Sequence, residues 1–208
     1  MTMEDDKKET INELLFRLQK DRNDIQKKFG INKTERVVSL ERLNDRTEYW
    51  RLCFESGTGL IYKPKCLSMD VAYESFAKLT DMGLSAVKSL DFIDYGWQEF
   101  IESSERVLFG KEYYYSAGVL LGTTYLLGAH DYHAGNIMLK NGLPTPIDNE
   151  MLLFPRWYED ENNKSSVIST CLLPEQIVDS KGNVYEIGGL YFPKDLPLDI
   201  ALFEEFVM

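Results

Sequence analysis

Asp131 and Asn136 stand five positions apart within LLGAHDYHAGNIMLKNGLPTPIDNE, Leu126 to Glu150. Phosphoryl-transfer enzymes use this interval for a base that takes a hydroxyl proton and an amide that holds magnesium. A second acid, Asp148, follows. The run Ile137 to Lys140, the pair Asn141-Gly142 and the run Pro144 to Ile147 predict a β-hairpin, because Asn-Gly is a strong two-residue turn signal. A hairpin returns Asp148 towards Asn136, where the two would share a cation. His133 lies between the base and the amide, where it can meet a phosphate or brace the loop.

Phosphoryl transfer needs cations against the phosphates, oxygen ligands for magnesium and a group that orients the attacking hydroxyl. Lys63, Asn136, Asp148 and Asp131 form a minimal set. His130, Asp131 and His133 also resemble a metal cluster, but zinc and dinuclear hydrolase sites need three or more donors. The chain has only 2 histidines, and no cysteine lies near them. A serine or cysteine nucleophile has no GxSxG elbow to sit on.

The elements that must position these groups are legible as patterns. Thr10 to Phe29 predicts an amphipathic helix, with Ile11, Leu14, Leu15, Leu18, Ile25 and Phe29 at helical spacing, a break at Arg22 and a stop at Gly30. Val37 to Leu43 and Glu48 to Glu55, around the turn Asn44-Asp45-Arg46, and Gly59 to Lys63 read as three adjacent antiparallel strands. Lys63 ends the third. In the kinase plan a lysine there meets the nucleotide phosphates and pairs with a Glu on the next helix; Asp70 to Met82 supplies that helix, with Glu74 as its best-placed acid. The blander reading of Lys63 is a solvated edge-strand lysine.

Val87 to Phe92 and Trp97 to Ile101 read as two more strands, and Glu102 to Glu105 as a hinge. Lys111 to Gly128 is apolar on most sides and predicts a buried helix, with Gly118 and Gly122 allowing close packing. Beyond Glu150, Arg156 to Lys164 reads as a loop and Ser166 to Leu173 as a packed segment. Asn183 to Phe192, with its glycines, reads as a short hairpin, and Leu202, Phe203 and Phe206 as the start of a helix.

With 208 residues, 44% hydrophobic and 27% charged, the chain can bury a sizeable core. Its net charge of −11 opposes nucleic-acid backbones and anionic lipid and favours a basic peptide as partner. Three scattered cysteines without CxxC suggest reduced thiols, and the charged N-terminus shows no signal peptide. The longest apolar run, Val119 to Ala129, is too short for a membrane span. A cytoplasmic location is the expectation.

Four motifs then carry a resemblance. YKPK (Tyr62 to Lys65), YGWQEF (Tyr95 to Phe100), YLLGAHDYHAGNIM (Tyr125 to Met138) and PIDNEMLLFP (Pro146 to Pro155) look like the dehydratase domain of class II lanthipeptide synthetases, the LanM type. SSVISTCLLP, Ser165 to Pro174, is similar to the family's next segment. The resemblance implies a fold related to lipid kinases and an ATP- and magnesium-dependent reaction on Ser and Thr of a leader-core precursor peptide. The hydroxyl is phosphorylated and phosphate is then eliminated. Carried over by motif, Lys63 matches the nucleotide lysine; Asp131, His133 and Asn136 match the catalytic loop; Asp148 and Glu150 match the metal segment. Asp45 matches an Asp in a phosphate-loop-like turn.

The pattern departs at Thr47, where the family has His, and at Lys65, where it has Arg. The family's Arg and Thr for elimination, and its zinc-dependent cyclisation domain, lie beyond this chain. The resemblance therefore implies a kinase-like half, either a truncated fragment or a piece completed by a separately encoded elimination or cyclase partner. Two other readings are a catalytically inactive peptide-binding module and a stand-alone kinase-like phosphotransferase. The fold expected is α+β and kinase-like with two lobes: a helical segment 1–35, a sheet-rich lobe 36–101 and an incomplete helical lobe 102–208.

Overall fold

The structure is a computed structural model and describes residues 3–43, 47–102, 110–153, 167–178 and 181–190. In chain order these form α1 (Met3–Phe29), β1 (Val37–Arg42), β2 (Trp50–Phe54), β3 (Gly59–Lys63), α2 (Ser68–Thr80), β4 (Ser89–Asp91), β5 (Gly96–Glu99), α3 (Lys111–Leu126), β6 (Ile137–Lys140), β7 (Leu143–Pro146), a 3-10 turn (Val167–Thr170), β8 (Glu175–Val178) and β9 (Val184–Ile187). The class is α+β. The chain divides into two compact units, Met1–Glu74 with Val87–Ile101, and Ser75–Ala86 with Glu102–Met208. The turn Asn44-Asp45-Arg46, most of the hinge, the loop Arg156 to Lys164 and the helix at Leu202 lie outside the described residues.

In the first unit one antiparallel sheet runs in the order β1-β2-β3-β5-β4. Because β5 pairs with β3 and β4 lies outside it, β3 is central and Lys63 is not the edge-strand lysine of the blander reading. It is 4% exposed. Strand alternation sends Trp50, Leu52, Phe54, Leu60, Tyr62 and Trp97 to one face, where they form a core with Leu14, Leu18 and Ile25 of α1. Gly30, with φ +79, ends α1 as a left-handed cap.

The break in the apolar pattern of α1 has a structural cause. Asp21, seven residues after Leu14, occupies an inward position and is buried. Its carboxylate accepts the Trp97 indole N–H at 2.8 Å and the Tyr95 hydroxyl at 3.3 Å. Arg17 donates to the Tyr62 hydroxyl and stacks over the Tyr95 ring at 4.1 Å. Arg22, where the sequence reading placed the break, donates to the Glu35 carbonyl, and Leu15 of the expected apolar face is exposed. Polar anchoring therefore replaces an apolar contact in mid-helix.

Gly96 has no room for a side chain. A Cβ there would lie 2.5 Å from Leu67 Cδ1 and 2.5 Å from the Leu90 carbonyl oxygen. The β5 backbone thus passes close beneath the approach to α2, where the Leu67 N–H donates to Asp91 Oδ1 at 2.7 Å.

In the second unit α3 differs from expectation. Its buried residues are Tyr113, Ser116, Ala117, Leu120, Thr123 and Thr124, a single stripe at helical spacing. Gly118 and Gly122 are exposed, and among the described residues no neighbour lies within 4 Å of a Cβ built at Gly122, so Gly122 packs against no described element. The residues after α2 fasten to this unit: Ser116 Oγ donates to the Gly83 carbonyl, Lys140 Nζ to the Ala86 carbonyl, and Thr145 Oγ1 bonds Ser85 Oγ at 2.6 Å. The late hairpin is also displaced. β8 and β9 pair across residues 175–187, and Gly188 and Gly189 follow it instead of turning it. Among the described residues, no helix is long and apolar enough to cross a membrane.

Two stability predictions follow from the first unit. Asp21→Ala leaves an indole N–H and a phenol without their acceptor in the core and is expected to cost about 2–4 kcal/mol by urea denaturation; a cost below about 1 kcal/mol would show that the anchor contributes little. Burial pushes the Tyr73 phenol well above its usual range and, reinforced by Asp21, pushes Tyr95 up to about 12. Below the ordinary tyrosine value of 10.0 both states are protonated, so stability is unaffected there. As pH rises from 10 towards 12 only the unfolded chain ionises, and stability falls. The Tyr73 hydroxyl is buried with no hydrogen-bond partner among the described residues, so Tyr73→Phe should leave neutral-pH stability unchanged or raised and flatten that alkaline decline. An alkaline unfolding curve that coincides with wild type would refute this.

Candidate functional site

The site grows out of the end of α3. Gly128, with φ +59, lets the chain reverse: its N–H donates to the Tyr125 carbonyl, and the Ala129 N–H reaches the Thr124 carbonyl at 2.8 Å. This paired arrangement is the Schellman motif, which satisfies the last helical carbonyls and starts the next segment at a fixed angle. Tyr132 then anchors the loop. Fully buried, it donates its hydroxyl to Asn149 Oδ1 at 2.8 Å and its N–H to the Thr170 carbonyl at 3.0 Å.

Asp131, directly before that anchor, has φ +66. A non-glycine residue held in the left-handed region costs on the order of 1–3 kcal/mol and persists where the surroundings over-determine it. Here the Asn136 amide provides such surroundings. Asn136 Nδ2 donates to the Asp131 carbonyl at 2.8 Å and to its Oδ2 at 3.2 Å. On the other side His133 Nε2 lies 3.5 Å from Asp131 Oδ1. The Gly135 N–H donates to His133 Nδ1 at 2.9 Å, which makes Nδ1 an acceptor and leaves the ring proton on Nε2, aimed at the carboxylate. Asp131 and His133 are both about half exposed, so an outside group can reach the clamped carboxylate.

The hairpin has the turn its sequence calls for. Asn141 and Gly142 both have positive φ, +53 and +81, as a type I′ turn requires. The pairs are Ile137 with Pro146, Met138 with Thr145, Leu139 with Pro144 and Lys140 with Leu143. The ladder continues to Asn136, whose carbonyl accepts the Ile147 N–H at 2.9 Å. Hydrogen-bonded and non-bonded pairs alternate in an antiparallel ladder. Counting back from Ile147, Pro144 and Pro146 both fall at non-bonded positions, where no N–H is needed.

Asp148 therefore follows the residue bonded to Asn136. Three further ties fix its segment: Tyr132 to Asn149, the His130 N–H to the Met151 carbonyl at 3.2 Å, and the Leu153 N–H to the Leu127 carbonyl at 3.2 Å. The Glu150 N–H approaches Asp148 Oδ1 at 3.5 Å. With its Nδ2 directed at Asp131, Asn136 presents Oδ1 as the acceptor side of its amide. A cation held here would draw on Asn136 Oδ1, Asp148 and Glu150, an oxygen-only set. Among the described residues, no group of three or more His, Cys, Asp or Glu side chains is arranged to hold a metal ion.

Of the residues singled out from sequence, Asp131, His133 and Asn136 are in direct contact, and Asp148 and Glu150 lie on the segment bonded to them. Lys63 and Glu74 belong to the first unit. Lys63 Nζ lies 5.3 Å from the Tyr49 ring centroid. Glu74 is buried, and its contacts include Lys28 Nζ at 2.8 Å and the Ser89 N–H at 2.9 Å. Asp45 lies outside the described residues.

Sequence reasoning passed over Tyr132, Asn149, Thr170 and Gly189. A Cβ at Gly189 would lie 2.0 Å from the Tyr132 carbonyl oxygen, while the Gly189 N–H donates to the Cys171 carbonyl. The Gly188-Gly189 pair was the available signal, because adjacent glycines mark close backbone approach as well as turns.

Comparison with known proteins places these residues in a family. The chain matches, over residues 2–201, the family described as a domain of unknown function, DUF4135. It is also 35% identical over 147 residues to the lacticin 481/lactococcin biosynthesis protein LcnDR2 of Lactococcus lactis subsp. lactis, covering 58% of this chain and 16% of that protein. The chain thus spans well under a fifth of the length of the curated relative it matches. The match bears out the resemblance to LanM-type synthetases carried by the four motifs. With residues 2–201 of 208 accounted for, the chain belongs to the DUF4135 family.

Proposed function

We propose that this chain performs the phosphorylation step of lanthipeptide biosynthesis, in a kinase-like two-lobe fold related to lipid kinases. It transfers the terminal phosphoryl group of ATP to Ser or Thr hydroxyls of a precursor peptide, the first half of dehydration. The observation that carries this reading is the clamp on Asp131 by Asn136 and His133, continuous through the Asn136–Ile147 bond with the segment bearing Asp148. The relative named for lacticin 481 and lactococcin biosynthesis supports a peptide as the acceptor.

The donor set fits the cofactors the resemblance implies, since amide and carboxylate oxygens suit magnesium and offer zinc none of its preferred nitrogen or sulfur. ATP supplies the phosphoryl group, and magnesium neutralises its charge. The chain's own residues do the rest. Asp131 accepts the hydroxyl proton as the new O–P bond forms and ADP departs. Asn136 Nδ2 and His133 Nε2 hold its two oxygens, so the base meets the substrate in one orientation without reorganisation. Asn136 Oδ1, Asp148 and Glu150 would hold the cation. Lys63 is the ammonium for the phosphates, and Asp45 keeps the phosphate-loop role that the resemblance implies.

Incubation of the chain with precursor peptide and magnesium-ATP should add one phosphate by intact mass; direct loss of water, or no mass change, would overturn the reading. Asp148→Ala should lower ATP turnover by about 100-fold or more, with a melting temperature within about 4 °C of wild type because no core group is removed; retained turnover would sink the assignment. Asp131→Asn keeps the shape and should reduce kcat by roughly 100- to 10,000-fold while MgATP still binds. Lost nucleotide binding in that variant would place Asp131 in binding instead.

A further inference from the structure

Asp148, a proposed cation ligand, stands between two residues that are each tied to the catalytic loop. Before it, the Ile147 N–H donates to the Asn136 carbonyl at 2.9 Å. After it, Asn149 Oδ1 accepts the Tyr132 hydroxyl at 2.8 Å. This second tie spans the two halves of the site, because Tyr132 directly follows Asp131 and Asn149 lies between Asp148 and Glu150. Tyr132 is 0% and Asn149 1% exposed, so solvent offers neither group a replacement partner. The tyrosine that donates the bond is itself held: its N–H donates to the Thr170 carbonyl at 3.0 Å, and its carbonyl lies close against Gly189.

A tie at one residue fixes where a segment lies but lets it turn about that point; a second tie two residues on fixes its direction as well. The backbone bonds at Met151 and Leu153 hold the chain beyond Glu150. Asn149 is held from between the two carboxylates, so its bond governs how both of them turn. Magnesium demands oxygen ligands in near-ideal octahedral geometry, and residues that orient ligands from outside the coordination sphere contribute about 10- to 100-fold to metal affinity or activity. We infer that Tyr132 and Asn149 are positioning residues for a divalent cation: their buried hydrogen bond sets the direction from which Asp148 and Glu150 approach it, in register with the Asp131 base. This rests on the phosphotransferase reading, and neither side chain touches cation or peptide in it.

The test is the full chain with Tyr132→Phe, which keeps the ring and removes the hydroxyl. Manganese binding, followed by electron paramagnetic resonance with a non-hydrolysable ATP analogue present, should weaken about tenfold. The magnesium concentration for half-maximal phosphorylation should rise by about the same factor, with KM for the precursor peptide within about twofold of wild type. A merely structural tyrosine would lower the melting temperature and the amount of active protein and leave the manganese Kd where it was. That outcome, or weakened peptide binding with unchanged metal binding, would overturn the inference. If Tyr132→Phe does not fold, Tyr132→Phe combined with Asn149→Leu replaces the buried polar pair by an apolar one, restoring packing without the directional bond. This variant should still bind manganese about tenfold more weakly than wild type, and wild-type affinity in it overturns the inference. A wild-type chain that binds no manganese with the analogue overturns the phosphotransferase reading and this inference together. Binding by wild type that Tyr132→Phe matches overturns the inference alone.

Discussion

The hydrogen bond from the Ile147 N–H to the Asn136 carbonyl is the constraint on which the candidate site depends. It closes a ladder whose register has little freedom. The Asn141-Gly142 turn needs two successive left-handed residues, and the two prolines of β7 can occupy only positions whose N–H is not called on. A slip of one residue would put both prolines at bonding positions and send every side chain to the opposite face. Turn chemistry and proline placement therefore select the same register, and that register bonds Ile147, the residue before Asp148, to the backbone of Asn136, whose amide braces Asp131.

Around the hairpin the loop is held by burial more than by its polar residues. Tyr132 is the only fully buried side chain between Ala129 and Asn136 in the loop sequence; two hydrogen bonds join it to the segments at Asn149 and Thr170, and its carbonyl lies close against Gly189. Backbone strain concentrates nearby. Asp131 and Cys171, directly beside Tyr132 and Thr170, both have left-handed φ, as does Leu153, whose N–H donates to the Leu127 carbonyl. The strain is carried by packing, leaving the Asp131 carboxylate exposed and oriented.

In the first unit the motif residues divide between structure and chemistry. Of YGWQEF, Tyr95 and Trp97 bind Asp21, Gly96 makes room for Leu67, and Gln98 bonds Asp70. Tyr62 of YKPK takes Arg17 from α1, while Lys63 turns to the opposite face. Helix α1 is thus bound to the sheet by two polar anchors as well as by its apolar stripe, and through Lys28 its last turn reaches the acids of α2.

Local chemistry was readable in the chain before any coordinates. The Asp131 to Asn136 interval, the type I′ turn, the strand runs and the glycine stop of α1 follow from spacing and φ preference, which act over a few residues. What spacing does not encode is which distant groups share a buried volume. Only the tertiary structure put β3 at the centre of its sheet, turned Asp21 into an anchor for Trp97, brought Lys28 of α1 to Glu74 of α2, and confined α3 to one buried stripe with its glycines outside. It also paired β8 with β9 ahead of the two glycines, because Gly189 is needed against the Tyr132 carbonyl. The sequence by itself determined the turns and the candidate chemistry. Burial, which sums contributions from segments far apart in the chain, decided which distant groups meet, as Asp21 meets Trp97 and Lys28 meets Glu74.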